Sequence, residues 1–143
     1  HIEVVKPALC FNISSASGFT SLPGGTTYAS SKAAVTSFSE SLLNEFKNDG
    51  HNHIGMTITC TAYVKTGMFD GVIDPFLIPM LTPERLAKKI VRAVRRNKMF
   101  VLEAAFIKCI PIIKAICPRF IYDFLGRIFG GHNSMDFWEG HSN

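Results

Sequence analysis

No apolar strand in this 143-residue sequence is followed by G-x-G-x-x-G or G-x-x-x-G-x-G. The chain therefore shows no Gly-rich turn of the kind that seats a pyrophosphate at a helix N-terminus. Gly24-Gly25 stand alone, and Gly130-Gly131 lie far along the chain. The four cysteines, Cys10, Cys60, Cys109 and Cys117, have no C-x-x-C spacing, which excludes a zinc-ribbon or thioredoxin-type site. Scattered among apolar neighbours, they read as free thiols of a reducing compartment. The five histidines are terminal or in loops, so no metal site is assigned. Pro111, Pro118 and interspersed charges interrupt the most apolar stretch, leaving no clean run of about 20 apolar residues to span a bilayer. Repeats and low-complexity segments are absent too. With 47% hydrophobic and 18% charged residues, the composition is that of a globular protein, and the length allows one domain.

What is present begins with charge. The net charge of +4 is uneven: residues 83–127 hold eleven Lys and Arg against three acids, +8, leaving −4 for the rest. No recognition motif accompanies these cations, which argues against nucleic acid. Lys88, Lys89, Arg92, Arg95 and Arg96 fall on one helix opposite its apolar residues, and an apolar, basic stretch from Phe106 to Phe129 follows. This segment reads either as a solvated helix face or as a surface for anionic lipid, with Lys108, Lys114, Arg119 and Arg127 snorkelling.

The most informative residues lie near the start. Tyr28 comes thirteen residues after Ser15, and Lys32 four after Tyr28. Tyr and Lys four apart share one helix face, roughly 5–6 Å apart at Cβ. A phenol is a poor proton donor or acceptor at neutral pH, and an ammonium beside it favours the phenolate. A serine hydroxyl at a strand end can hold a substrate oxygen against the phenol. Together these groups suit proton transfer coupled to hydride transfer at an alcohol or carbonyl. A lone Tyr-x-x-x-Lys is common by chance; here an apolar run ends in Ser14-Ser15, a Gly-containing loop follows, and Ala29, Ser30, Ser31, Ala33 and Ala34 surround the tyrosine. The missing G-x-S-x-G elbow and the lack of a well-placed histidine argue against a serine hydrolase acting through Ser14 or Ser15. Asn12-Ile13-Ser14 is a formal glycosylation sequon, but at a strand end beside this site it reads as unmodified.

Asn12-Ile13-Ser14-Ser15 followed by Tyr28-Ala29-Ser30-Ser31-Lys32 resembles the short-chain dehydrogenase/reductases, in which a strand ending in Ile-Ser-Ser precedes a Tyr-x-x-x-Lys helix. Thr61-Ala62-Tyr63-Val64-Lys65-Thr66 is similar to the family's Pro-Gly-x-Val-x-Thr: Val64 and Thr66 match, the Pro and Gly do not. Thr66-Gly67-Met68-Phe69 and Ser134-Met135-Asp136-x-Trp138-x-Gly140 look like the retinol and hydroxysteroid dehydrogenase branch. The resemblance implies Ser15, Tyr28 and Lys32 as catalytic residues. It implies NAD or NADP as cofactor, held by Tyr28, Lys32, Thr61, Ala62, Val64 and Thr66. It also implies an apolar alcohol, retinoid-, steroid- or lipid-like, as substrate, and a homo-oligomer built through the helix at 27–47. Expected localisation is the cytoplasmic face of an intracellular membrane, endoplasmic reticulum or lipid droplet, or the cytoplasm.

The fold expected is α/β, the C-terminal part of a doubly wound parallel-sheet, Rossmann-type domain with the N-terminal Gly-rich half absent. The chain so reads as half of a longer enzyme or a truncated gene product. Three segments are expected: a catalytic one at 1–66, a substrate lid at 67–82, and a basic, apolar one at 83–143. Strands are expected at Ala8 to Ile13, Ile54 to Cys60 and Met99 to Leu102. A helix capped by Thr26 or Thr27 is expected to run to about Lys47, burying Val35, Phe38, Leu42 and Phe46 and ending at Asn48-Asp49-Gly50. Thr82-Pro83-Glu84 starts a second, running to about Arg96 and burying Leu86, Ile90 and Val94. Short helices broken at Pro111 and Pro118 complete the chain. Without neighbouring chain the first strand exposes its pairing edge, an aggregation liability. The competing reading is a catalytically inactive module that docks on membranes or dimerises through the helix at 27–47.

Overall fold

The structure, a computed structural model, describes residues 7–20, 22–66, 80–103 and 105–128. Most of the expected lid, the Gly67-Met68-Phe69 stretch, the tail from Ser134 to Gly140 and the first six residues lie outside the described residues. Three parallel strands, β1 (Ala8–Ile13), β2 (Ile54–Thr61) and β3 (Phe100–Glu103), form one sheet in the order β1-β2-β3. The register runs from Ala8↔Ile54 to Ile13↔Thr59, and from Ile58↔Phe100 to Thr61↔Glu103. Helix α1 (Thr26–Asn48) joins β1 to β2, and α2 (Pro83–Arg95) precedes β3. A 3-10 turn at Ala105–Lys108 then leads into α3 (Ile110–Ile116) and α4 (Arg119–Ile128).

Side chains alternate along a strand, so the register sorts the sheet into two faces. Cys10, Asn12, Met56, Ile58, Cys60, Phe100 and Leu102 share the face covered by α1, whose Leu43 packs against Met56, Ile58 and Cys60. Met56 and Ile58 are fully buried, and each contributes about 1.5–3 kcal/mol by leaving water. Glu103 is one residue out of step with Leu102, on the other face, and there it pairs with Lys89 of α2. The sheet is thus covered by helices on both sides, as a doubly wound fold requires. Central β2 is buried from Gly55 to Thr61. Edge strand β1 pairs only with β2 among the described residues, and on the face away from α1 Leu9, Phe11 and Ile13 are exposed.

Helix ends follow local chemistry. Thr82 caps α2, its hydroxyl accepting from the Arg85 N–H, with Pro83 in the first turn and Glu84 complementing the helix dipole. Helix α1 ends on Gly50 at φ 82°, with Gly50 N–H bonded to Lys47 C=O and His51 N–H to Phe46 C=O, a Schellman motif. At its start, however, Gly25 occupies the cap position with no side-chain cap, and Thr26 and Thr27 lie inside the first turn. As expected, the stretch is divided into short helices at Pro111 and Pro118: Pro111 lies in the first turn of α3, and Pro118 stands between α3 and α4.

The buried face of α1 differs from the apolar one. Thr36, Ser39 and Leu43 are buried, Val35, Leu42 and Phe46 are half-buried, and Phe38 is 62% exposed. At 3.6 residues per turn, Phe38 points almost opposite to Thr36. In α2 the fully buried residue is Ala93, with Leu86, Ile90 and Val94 half-buried beside it.

Candidate active site

The sheet-facing stripe of α1 reads Tyr28, Lys32, Thr36, Ser39, Leu43, each three or four residues after the last. Its C-terminal end is anchored by Leu43 in the core. Its middle is fastened by hydrogen bonds to β1. Asn12 Nδ2 donates to Ser39 Oγ at 2.8 Å, and Ser39 Oγ to Val35 C=O at 2.6 Å. Ser14 Oγ donates to Lys32 C=O at 2.8 Å and lies 2.7 Å from Thr36 Oγ1. Ser14, Thr36 and Ser39 are all buried, so these bonds form away from competing water. The seam fixes where the first two turns of α1 sit over the end of β1.

There the stripe carries the predicted pair. Lys32 Nζ donates to Ile13 C=O at 3.2 Å and stands 5.5 Å from the Tyr28 ring centroid, within cation–π range. The lysine is thus tied to the last residue of β1 while its charge faces the phenol ring. Beyond Ile13 the ladder continues for one bond, Ser14 N–H to Thr59 C=O at 2.8 Å. Ser15 then caps a 3-10 turn at Ala16–Gly18, its Oγ accepting from Ser17 N–H at 3.3 Å and reaching Thr61 C=O at 3.5 Å. No hydrogen bond joins Ser15 to Tyr28 among the described residues. Gly18 lets this turn lie on α1: a Cβ there would meet the Lys32 carbonyl and Ala33 N at 3.1 Å.

The residues expected at the cofactor gather at the neighbouring strand end. Thr61, buried, is the last residue of β2; Ala62 and Val64 are half-buried, and exposed Thr66 folds its N–H and hydroxyl onto Val64 C=O. Val64 forms a parallel bridge with Leu81, and Leu81 N–H bonds Tyr63 C=O at 3.0 Å. Ser15, Tyr28, Lys32 and the Thr61–Thr66 stretch therefore converge at the C-terminal ends of β1 and β2, where ligands bind in open α/β sheets. Lys32 supplies a cationic donor and the Thr61–Thr66 stretch supplies backbone groups, a set that fits the nicotinamide and ribose end of a dinucleotide. Asn12 and Ser14 of the sequon are both engaged in the seam, in keeping with an unmodified site.

The seam residues Ser14, Thr36 and Ser39 were not among the residues expected from sequence to matter. Their signal is a coincidence of two periods: Asn12 and Ser14 alternate on a strand, while Thr36 and Ser39 repeat at helical spacing in line with Tyr28 and Lys32. The buried Cys60 thiol faces the same seam; burial pushes its pKa up, Ser14 and Thr36 hydrogen bonds oppose this, and the Glu40 charge adds to it. A cleft of about 240 Å³ lies elsewhere, between α2 and β3, and is lined by Lys89, Arg92, Arg96, Lys98, Lys108 and Glu103 among others. It holds none of the expected catalytic residues.

A parallel sheet flanked on both sides by helices, with Tyr28 and Lys32 paired at the strand ends, defines a Rossmann-type α/β protein. Residues 7–74 match the family described as short chain dehydrogenase. Epidermal retinol dehydrogenase 2 from Mus musculus is 34% identical, the match covering 80% of this chain and 39% of that protein. Its Homo sapiens counterpart is 33% identical over 87% of this chain and 42% of its own length. The 11-beta-hydroxysteroid dehydrogenase-like 2 of Arabidopsis thaliana is 33% identical over 82% and 38%. A solved structure from Novosphingobium aromaticivorans, assigned as a short-chain dehydrogenase, shares the fold with a TM-score of 0.57 at 18% identity, covering 87% of this chain and 44% of that one. The chain belongs to the short-chain dehydrogenase/reductase family, on the side of its retinol and hydroxysteroid dehydrogenase-like members. It spans about 40% of the length of these curated relatives.

Proposed function

We propose that this chain carries the proton-transfer centre of an NAD(P)-dependent oxidoreductase that interconverts an apolar alcohol, retinoid-, steroid- or lipid-like, and its carbonyl. The observation that carries the reading is the Lys32 ammonium, tied to the end of β1 and facing the Tyr28 ring. Tyr28 moves the proton on the substrate oxygen. Lys32 places positive charge where negative charge develops on the phenol, and donates toward the ribose of the cofactor. Ser15, at the mouth of the same strand ends, orients the substrate oxygen. Thr61, Ala62, Val64 and Thr66 line the nicotinamide side. The nicotinamide, when bound, supplies or takes up the hydride. The names of the relatives, retinol and hydroxysteroid dehydrogenases, support an apolar substrate.

The test is turnover of retinol-like and steroid alcohols with NAD and NADP, wild type against Tyr28→Phe. Loss of turnover with unchanged folding supports the mechanism; a Tyr28→Phe protein that retains turnover ends it. A second reading, self-association through α1 with or without catalysis, draws support from Phe38, exposed on the outward face of that helix. Sedimentation of Phe38→Ser against wild type tests it.

A further inference from the structure

The cleft between α2 and β3 gathers cations from three parts of the chain. Lys89, Arg92 and Arg96 follow one another at three- and four-residue spacing and so share one face of α2 and its C-terminal cap. Lys98 stands between α2 and β3, and Lys108 closes the 3-10 turn after β3. Lys88 and Arg95 lie on the same helix but do not line the cleft. A solvated helix face keeps its charges apart in water; here separate segments bring theirs together.

The one carboxylate of the cleft, Glu103, pairs with Lys89. Arg92, Arg96, Lys98 and Lys108 are exposed and have no ion-pair partner among the described residues. Four such cations repel one another, and like charges four apart, as at Arg92 and Arg96, destabilise a helix. The dipole of α2 favours cations at its C-terminal end, which explains Arg92 and Arg96. It does not explain Lys98 or Lys108, which lie outside the helix.

Strand β3 forms the other wall, and all four of its residues line the cleft. Successive strand residues point to opposite faces, so a cleft that touches every one of them meets the strand at its edge. Among the described residues β3 pairs only with β2, and its outer edge therefore presents backbone groups with no strand partner. A sheet edge with free N–H donors beside fixed cations makes an anion-binding concavity. At about 240 Å³ the cleft is smaller than the roughly 300–1,000 Å³ of sites for drug-sized ligands. Its occupant must then carry several negative charges in little space, and guanidinium groups match phosphate oxygens two at a time.

We propose that the cleft between α2 and β3 binds a small soluble di- or triphosphate through Arg92, Arg96, Lys98 and Lys108. Ser15, Tyr28, Lys32 and the Thr61–Thr66 stretch take no part in its lining, so this site is separate from the strand ends and does not depend on catalysis there.

Isothermal titration calorimetry of the purified chain with inorganic pyrophosphate and inorganic triphosphate tests this. Saturable binding at one site per chain is expected, and it should weaken as salt is raised. Arg92→Gln with Arg96→Gln is expected to weaken binding about tenfold or more, as charge-assisted hydrogen bonds are lost. Lys98→Gln with Lys108→Gln should do the same from outside the helix. Lys88→Gln with Arg95→Gln removes as much charge from α2 away from the cleft and should leave affinity nearly unchanged. All six side chains are exposed, so the circular dichroism spectrum should not change in any variant. Folded wild type that binds neither anion saturably overturns the proposal. An equal loss in the Lys88 and Arg95 variant also overturns it, because net charge and not the cleft would then attract the anion. Full affinity in the Lys98 and Lys108 variant overturns it in favour of a plain helix face.

Discussion

Helix α1 is anchored in the core by Leu43 but meets the end of β1 through hydroxyl side chains bonded to Asn12 and Ser14, whereas α2 lies on the sheet with half-buried Leu86, Ile90 and Val94, buried Ala93 and one ion pair, Lys89 with Glu103. The two kinds of contact specify position differently. Apolar burial is non-directional and tolerates small slides. A hydrogen bond weakens steeply once its angle or length drifts, so three of them along one helix fix both its rotation and its height. Helix α1 carries Tyr28 and Lys32, and the chemistry proposed for them requires placement to within about 0.5 Å. The helix that must be placed accurately is thus the one attached by directional bonds.

The largest effect that sharpens this contrast falls on the chemistry. Lys32→Met removes the charge beside Tyr28 and the tie to Ile13 C=O while leaving the Ser14 bond to the residue-32 carbonyl, which is backbone. Turnover is expected to fall by about 10²–10⁴-fold, the range of one acid–base contribution, with little change in melting temperature. A loss of the same size in a variant confined to α2 would erase the distinction between the helices.

Next comes the seam itself. Ser39→Ala leaves the half-buried Asn12 amide without its oxygen partner, with only a weak contact to Met56 Sδ at 3.8 Å remaining. The expected cost is about 1–3 kcal/mol, read by urea denaturation. Ser39→Thr, which keeps the hydroxyl, should recover part of it. Because the seam sets the height of the first turns, turnover should fall further than the stability loss alone explains.

Much of this was legible from sequence, and the failures share one cause. Strand and helix limits came close because β-branched runs, the Thr82-Pro83-Glu84 start and the Asn48-Asp49-Gly50 stop are local signals. The Tyr28–Lys32 pairing follows from helical spacing, and the structure brings the two side chains together as expected. The inward face of α1 was misjudged because hydropathy ranks Phe38 above Thr36 and Ser39, while the sheet beneath offers the polar Asn12 and Ser14, which hydroxyls can satisfy and a phenyl ring cannot. The apolar, basic stretch from Phe106 to Phe129 was legible in part: Phe120 and Phe124 are exposed as its reading as an outward surface expects, but Ile107 and Ile110 are buried, because hydropathy does not say which apolar residues the rest of the molecule covers.

Alkaline pH tests the seam from its apolar side. The pKa of Cys60 is raised above its ordinary 9.0 mainly by burial. An acid whose pKa is raised on folding stabilises the fold fully below the unfolded value and loses that contribution as pH climbs past it, because the unfolded thiol then gives up a proton that the folded one keeps. Stability is therefore expected to decline above about pH 9 more steeply in wild type than in Cys60→Ala, which starts lower but has no thiol to titrate. At neutral pH, iodoacetamide should modify exposed Cys109 first and buried Cys60 only on unfolding, a sequence that mass spectrometry resolves.

The smallest effect is expected on α2, at Lys89→Ala. Its partner Glu103 keeps a side-chain exposure of 12%, but Lys89 itself is 37% exposed, so water screens the pair. Arg92 and Lys108 line the same cleft and offer the Glu103 carboxylate other cations when Lys89 is gone. Exposed pairs of this kind contribute about 1 kcal/mol or less, and added salt should shrink even that. A urea midpoint for Lys89→Ala that moves less than that of Ser39→Ala, with turnover unchanged, would show that α2 is held by area and α1 by geometry. If Lys89→Ala instead costs as much as the buried seam, the ion pair positions α2, and both helices depend on directional contacts.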